Sequence, residues 1–171
     1  MRRGLTGVVA LSAVALVAGA GRADAQPKEQ DRAIRLVIVM QGDPADQRFR
    51  QVGPAGSLRY GQGRLEGTTT LRGARVDVEL LASIRYANGS GPFTGFWTFT
   101  RADGAALAFD YSGRATQTRD RTRIRGRLAV FGGTGAWTRV RGKGTVTGRR
   151  VGQVGGDVEY TFTLRLTGLP A

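Results

Sequence analysis

Apolar side chains recur at every second position along most of this chain, and this spacing limits its fold more than any other feature. In 75–86, RVDVELLASIRY, the even positions are all apolar, and most of the odd ones are charged. The segment 157–167, DVEYTFTLRLT, alternates in the same way. A period of two is typical of strands with one buried face, whereas helices repeat every 3.6 residues. The chain from residue 33 onward is therefore predicted to be all-β.

The same pattern predicts about eight strands joined mostly by short turns. The predicted strands are 33–41, 63–73, 75–86, 93–101, 106–114, 123–131, 136–148 and 157–167. Asn88-Gly89 and Asp103-Gly104 are hairpin signals, because residues of these types tolerate positive φ. The one long connection, 42–62, is rich in turn residues and is expected to be functional or to cover one end of the fold.

Strands of this number and length close into a barrel or stack as a sandwich. Glycine favours the barrel, because glycine inside a strand marks a bend or a close backbone approach, and a curled sheet needs such sites. The glycines assigned to inward faces are Gly63, Gly67, Gly73, Gly95, Gly113, Gly126, Gly142, Gly144 and Gly148. Eight strands enclose just enough room for side chains or for one small ligand. We therefore predict an eight-stranded antiparallel barrel with a small internal cavity, the alternative being a lumen filled by Tyr, Phe and Leu.

The N-terminus has the pattern of a secretory signal. Arg2 and Arg3 precede an uncharged apolar run at 5–20, and Ala23-Asp24-Ala25 matches a small-residue cleavage site. An uncleaved anchor is the alternative. We expect a signal peptide over 1–25, a disordered lead-in over 26–32 and one barrel domain over 33–171. The mature protein would be secreted or periplasmic, without a membrane span.

The chain contains no cysteine and no histidine. This excludes disulfides, a cysteine nucleophile, a Ser-His-Asp triad, a histidine zinc site and an imidazole general base. We expect no metal and no cofactor. Carboxylates, tyrosine, lysine, arginine and hydroxyl groups remain for chemistry.

The net charge of +13 favours association with polyanions or anionic surfaces. Arg123, Arg125 and Arg127 alternate along one predicted strand, and the next carries Arg139, Arg141 and Lys143. A solvated outer face of the barrel is the simpler interpretation, since charged residues normally lie on the surface. No specific nucleic-acid partner is expected.

The stretch 131–144, FGGTGAWTRVRGKG, does not have the spacing of a phosphate-binding loop. Lys143 is followed by glycine instead of Ser or Thr, and no helix follows. Trp137 among basic residues could serve as a stacking platform for nucleic acid. A tight turn at Gly132-Gly133-Thr134-Gly135 between two strands is the alternative that the flanking alternation favours.

This turn resembles a known signature. The signature of the allene oxide cyclase and dirigent barrel superfamily is similar to Gly132-Gly133-Thr134-Gly135, followed by the aromatic Trp137 and by Arg141-Gly142. The secreted bacterial members of this superfamily also resemble the chain at 126–135, at 156–166 and at VGPAGS, 52–57. The resemblance implies an eight-stranded barrel with an apolar cavity, often a homo-oligomer. It also implies an isomerase or cyclase that preorganises a small hydrophobic substrate with little acid–base work.

Seven side chains on or near the inward faces are candidates for lining the cavity: Tyr86, Trp97, Phe109, Asp110, Tyr111, Tyr160 and Phe162. Tyr111 and Tyr160 are predicted to orient a substrate oxygen, and Asp110 joins them if its strand bulges and turns it inward. The alternatives are plain barrel core for the aromatic residues and a solvated position for Asp110. No catalytic residue is assigned. Besides a cyclase, the pattern allows a non-catalytic barrel for a lipid or aromatic ligand, or an envelope protein that binds polyanions through its arginines.

Overall fold

A computed structural model describes residues 33–170 as one antiparallel sheet of nine strands that curls on itself. The strands are β1 (Ile34–Met40), β2 (Arg48–Val52), β3 (Leu58–Leu71), β4 (Ala74–Ala87), β5 (Gly91–Arg101), β6 (Ala106–Thr118), β7 (Arg121–Gly133), β8 (Arg141–Val151) and β9 (Val158–Thr167). Their order across the sheet is β1-β9-β8-β7-β6-β5-β4-β3-β2. The predicted all-β class is confirmed. No helix among the described residues is long and apolar enough to cross a membrane.

The strands alternate buried and exposed residues, as the sequence predicts. In β4, Val76, Val78 and Leu80 are buried, and Asp77 lies exposed between two of them. The inward side chains form one apolar core that includes Trp97, Phe99, Phe109 and Phe162, each with no more than 1% of its surface exposed. The inward side of the curled sheet therefore carries the stabilising apolar burial.

The largest differences from the predicted strands concern β2, β3 and β8. The segment predicted as the long connection contains β2, which pairs with the first residues of β3, and β3 begins at Leu58 instead of residue 63. The short 3₁₀ turns Pro44–Asp46 and Pro54–Gly56 flank β2. β8 begins at Arg141 because Gly135–Trp137 forms a further 3₁₀ turn. The predicted signal peptide at 1–25 and lead-in at 26–32 lie outside the described residues.

The predicted hairpin at Asn88-Gly89 is confirmed. Both residues have positive φ, 48° and 74°, and Ala87 and Ser90 exchange two backbone hydrogen bonds across the turn. Gly73 was assigned to an inward strand position, which is wrong. It lies between β3 and β4 with a φ of 80°, so it belongs to the turn and not to the concave interior of the curled sheet, which we call the lumen.

Aromatic rings occupy the room that inward glycines leave. A Cβ atom added to Gly126 would lie 2.4 Å from Cε2 of Tyr111, and one added to Gly148 would lie 2.6 Å from Cε1 of Tyr160. A Cβ atom added to Gly113 would likewise lie 2.6 Å from Cζ of the Phe93 ring. Most of the lumen is therefore filled, as the alternative interpretation held, and one residual void of about 40 Å³ lies at one end.

The stretch 131–144 contains the connection between β7 and β8, at residues 134–140. The Thr134 backbone N–H donates to the Ala106 carbonyl at 2.8 Å, and the Ala106 N–H donates to Thr134 Oγ1 at 3.0 Å. This fixes the turn against β6 and directs Trp137 into the core, where only 2% of its surface is exposed. A turn is present, but not at the predicted positions, because Gly132 and Gly133 belong to β7 and the connection covers 134–140. Trp137 is not a stacking platform for nucleic acid, because its ring is buried.

Candidate functional site

Several polar side chains meet at the residual void. We call this end of the lumen the mouth. Tyr86 of β4, Tyr111 of β6, Arg150 of β8 and Tyr160 of β9 line the void. Two chain segments complete its wall, namely Gln47 with Phe49, and Val154 with Gly155 and Gly156 between β8 and β9. The long connection thus covers one end of the fold, as its length indicated.

Strand alternation brings these side chains inward. Arg150 follows Val146 and Gly148 at every second position of β8, and all three are buried. Tyr160 is paired with Gly148 across the strands, so its ring lies in the space above that glycine. Thr122 of β7 is paired with Arg150 and is itself buried. The polar cluster therefore depends on pairing between strands that are distant in sequence.

Four buried polar atoms at or beside the void have no hydrogen-bond partner among the described residues. They are Gln47 Oε1, Trp97 Nε1, Tyr111 OH and Arg150 Nε. The Gln47 amide is held in place by donating to the carbonyls of Asp43 and Arg64, which leaves its oxygen unused. A buried polar atom without a partner costs about 1–3 kcal/mol, so such atoms are rare unless a water or ligand satisfies them.

Burial keeps the tyrosine hydroxyls of the mouth neutral. Burial raises the pKa of Tyr86 to about 12 and raises the pKa of Tyr160 still further. The pKa of Tyr111 also lies well above its usual range, chiefly because of burial and secondarily because Tyr160 and Tyr86 are near. The Tyr111 hydroxyl nevertheless makes no hydrogen bond within 3.5 Å. These groups can donate hydrogen bonds to a ligand, but they do not act as bases at neutral pH.

Arg150 is the only buried charged residue among those described, with 5% of its surface exposed. Its Nη2 donates to Thr122 Oγ1 at 3.1 Å. Burial lowers its pKa, the nearby Tyr86 and Tyr160 oppose that effect, and Arg59 adds to it. Arg150 is not among the seven predicted cavity residues, although the alternation of β8 places it on the inward side.

The seven predicted cavity residues divide into three groups. Tyr86, Tyr111 and Tyr160 line the void, and Trp97 packs edge-on against Tyr111 and Tyr160, with centroid distances of 5.6 and 4.9 Å. Phe109 and Phe162 lie in the apolar core, where both contact Phe99.

Asp110 was predicted to join the cavity if its strand bulged, and this is wrong. A bulge does occur, but the extra residue is Phe131 of β7, between the pairs Ala108–Gly132 and Phe109–Val130. β6 keeps its alternation, so Asp110 remains exposed.

A second hollow adjoins the void on the outside. This mouth groove has a volume of about 480 Å³ and is lined by residues from 51–59, 86–89, 117–120 and 152–154. Tyr86 and Val154 line both the mouth groove and the void. They are therefore the residues that separate the buried polar cluster from the surface.

A wider groove of about 1200 Å³ crosses the solvent-facing side of the sheet. It contains the exposed Asp110, Leu81 and Phe96, with basic residues such as Arg127 and Lys143 at one side. Its charged side chains are exposed to solvent, so an ion pair between one of them and a ligand would contribute little binding free energy.

Basic side chains face one another across the exposed side of β6 to β9. Arg114 is paired with Arg125, Arg123 with Arg149, and Lys143 with Arg165. We call these six residues the arginine face. Within residues 33–170 none of them takes part in an ion pair, since the ion pairs present involve Arg64 and Arg101. Like charges directly opposite on neighbouring strands are destabilising.

No group of three or more acidic side chains in the described part of the chain is arranged to hold a metal ion. A comparison with models of known protein families finds no match to this chain, and a comparison with curated proteins finds none either.

Proposed function

We propose that this chain is a secreted barrel of the allene oxide cyclase and dirigent type that binds a small molecule at its mouth. The observation that carries the proposal is the convergence of Gln47 Oε1, Tyr111 OH and Arg150 Nε, all buried and unpaired, on one void. A folded protein normally pairs such groups, and a bound ligand would pair them here. The same residues would then set the ligand's orientation.

Closure of the sheet into an eight-position barrel is part of this proposal. β1 pairs with β9 over its whole length. Just beyond β1, Gln41 and Glu66 exchange backbone hydrogen bonds of 2.7 and 2.9 Å, which links this end of the sheet to β3. β2 pairs with the opposite half of β3, so β1 and β2 share one position in the ring. This arrangement supports the ring β1-β9-β8-β7-β6-β5-β4-β3, with β2 as an extension.

The ligand would not lie wholly inside the void. A volume of about 40 Å³ is far below the roughly 300 Å³ of an ordinary ligand pocket. It suits one small polar group, while the remainder of the molecule would occupy the mouth groove beyond Tyr86 and Val154. Glycines at 152, 155 and 156 give the β8–β9 connection the backbone freedom to move aside.

The chemistry of the mouth favours binding and orientation over proton abstraction. Neutral tyrosine hydroxyls and a guanidinium donate hydrogen bonds, and no carboxylate lines the void. A cyclase or isomerase remains the catalytic form of the proposal. A substrate that rearranges without a base needs only shape and donors, which the rings of Trp97, Tyr111 and Tyr160 and the hydroxyls supply.

Native mass spectrometry of protein purified from the organism that encodes it tests the proposal. We expect a retained small molecule that is released on denaturation. Tyr111→Phe removes one unpaired hydroxyl and should weaken retention, while the ligand-free protein gains about 1 kcal/mol of stability. Tyr60→Phe is the matched control, because Tyr60 is 54% exposed. This variant should retain the ligand as wild type does. A ligand-free wild-type protein, or equal retention by both variants, contradicts the proposal.

The arginine face supports a second candidate function, which is binding of a polyanion. Its cross-strand pairs repel one another in the free protein, and a polyanion would relieve that repulsion. We expect retention on heparin that decreases as salt rises. Arg125→Gln with Arg149→Gln should elute at lower salt than wild type. Arg72→Gln with Arg75→Gln removes the same charge from the exposed β3–β4 turn and is the control. If the two double variants elute at the same salt concentration, the arginine face is not the polyanion-binding site.

A further inference from the structure

The positive charge of Arg150 has no anion beside it. Its side chain lies on the lumen side of β8 with 5% of its surface exposed, and Thr122 Oγ1 is the one acceptor it reaches. The ion pairs among residues 33–170 involve only Arg64 and Arg101. A guanidinium stays protonated in proteins, so Arg150 carries its charge in the lumen. A buried charge without a counter-charge is strongly unfavourable.

The groups around Arg150 do not supply the missing negative charge. Tyr86 and Tyr160 are neutral because burial opposes their ionisation. Arg59, which lines the mouth groove beside Tyr86, adds a second positive charge to the region. Asp120 also lines this groove but forms no ion pair with either arginine within the described part of the chain. The electrostatic surroundings of the void are therefore positive.

Hydrogen-bond donors outnumber acceptors when the atoms that line the void are taken together with Trp97 Nε1, whose ring packs against Tyr111 and Tyr160 beside it. Arg150 Nε, Trp97 Nε1 and the Tyr111 hydroxyl are unpaired and can each donate, and the first two can only donate. Gln47 Oε1 is the one unpaired atom that can only accept. A group with several lone pairs and a negative charge would satisfy most of this set. A neutral amide or alcohol would leave the charge of Arg150 unpaired.

We propose that the mouth binds the carboxylate of a small organic acid, with Arg150 as its counter-ion and the tyrosine hydroxyls as additional donors. The proposal rests on the proposed function and specifies the class of ligand. A carboxylate is small enough for a void of about 40 Å³, and its two oxygens match the donor fork of a guanidinium. Its single charge balances the single buried guanidinium, whereas the second charge of a phosphate dianion would be opposed only by Arg59, which lies in the mouth groove outside the void. The remainder of the acid would extend past Tyr86 and Val154 into the mouth groove.

The indole N–H of Trp97 provides a readout beside the void, because its ring packs against Tyr111 and Tyr160, which line the void. The chain has two tryptophans, and Trp137 lies in the turn between β7 and β8, away from the residues that line the void. We would titrate the ¹⁵N-labelled protein with acetate and benzoate, and in parallel with acetamide, benzamide, phosphate and sulfate. The expected result is that at least one carboxylate shifts the Trp97 resonance and raises Tm, while its amide, phosphate and sulfate do not. The Trp137 resonance should remain unchanged.

Arg150→Met tests the role of the guanidinium. It keeps the length of the side chain, and removal of an unpaired buried charge should leave the protein as stable or more stable. Loss of one partner of a buried charge pair should weaken carboxylate binding about 30-fold or more. Arg85→Met removes the same charge from the exposed side of β4, one residue before Tyr86, and should bind as wild type does.

Three results would overturn the carboxylate assignment. One is an amide or phosphate that binds as tightly as the carboxylate. Another is unchanged binding in Arg150→Met, and the third is a wild-type protein that responds to neither carboxylate. The comparison of acid with amide uses the wild-type protein alone, so it stands even if Arg150→Met does not fold. A neutral co-purified ligand bound at the mouth would refute the carboxylate and leave the proposed function intact, whereas a protein that retains nothing refutes the proposed function.

Discussion

Replacement of Gly126 by alanine should destabilise this fold through one contact. The added Cβ would lie 2.4 Å from Cε2 and 3.1 Å from Cδ2 of the Tyr111 ring, and 3.1 Å from the Ser112 carbonyl oxygen. Carbon atoms in contact prefer about 3.5–4.0 Å, so the ring must retreat by about 1 Å. It has little space for this, because the adjoining void holds only about 40 Å³.

Overpacking of this kind costs about 1–3 kcal/mol. With a urea m-value of about 2 kcal/mol per M, a loss of 2 kcal/mol lowers the unfolding midpoint by about 1 M. Equilibrium unfolding in urea, followed by tryptophan fluorescence, measures this shift. The m-value should not change, since the surface exposed on unfolding is nearly the same.

Gly132→Ala is the matched control on the same strand. Nothing lies within 4 Å of its added Cβ, so its free energy of unfolding should stay within about 0.5 kcal/mol of wild type. The double variant Gly126→Ala with Tyr111→Leu should show a coupling of about 0.5–3 kcal/mol, because the shorter side chain relieves the overlap. If Gly126→Ala is as stable as Gly132→Ala, or if the two changes are additive, then the ring does not fill the space above Gly126.

Three further predictions concern other parts of the molecule. Trp137→Ala should lower the free energy of unfolding in urea by about 3–5 kcal/mol, because the large ring is buried in the core. A loss below about 1 kcal/mol would show that the turn is only a surface feature. The free energy of unfolding should fall between pH 10 and 12, because tyrosines of the unfolded chain ionise near pH 10, while burial raises the pKa of Tyr86 to about 12 in the folded state. Tyr86→Phe should reduce this fall by up to about 2–3 kcal/mol. An unchanged pH profile in this variant would contradict the burial of the Tyr86 hydroxyl. Phe131→Ser should lower the free energy of unfolding by less than about 1 kcal/mol, because its ring is 69% exposed and packs edge-on against the partly exposed Phe96. Phe109→Ala should lower it by about 3–5 kcal/mol, and equal losses would mean that the bulge does not turn Phe131 outward.

Local sequence was sufficient wherever a residue's environment depends on its near neighbours. The period of two identified the strands and the buried side of β4, and Asn88-Gly89 identified a hairpin, since both features follow from backbone geometry over a few residues. It was insufficient at β2, where a short strand lies between two turns in a segment without clear alternation. It also failed at Asp110, since the position of the bulge depends on how β6 and β7 pair.

The amino-acid sequence by itself determined the all-β class, the identity of most inward residues and the absence of histidine and cysteine chemistry. Only the tertiary structure decided that rings fill the room above Gly126 and Gly148, and that Tyr86, Tyr111, Tyr160 and Arg150 meet at one end of the lumen. The physical reason is that alternation fixes the side of a strand on which a residue lies, whereas its neighbours depend on the register between strands far apart in sequence. The alternation of β8 places Arg150 inward, but which groups surround its charge there depends on that register.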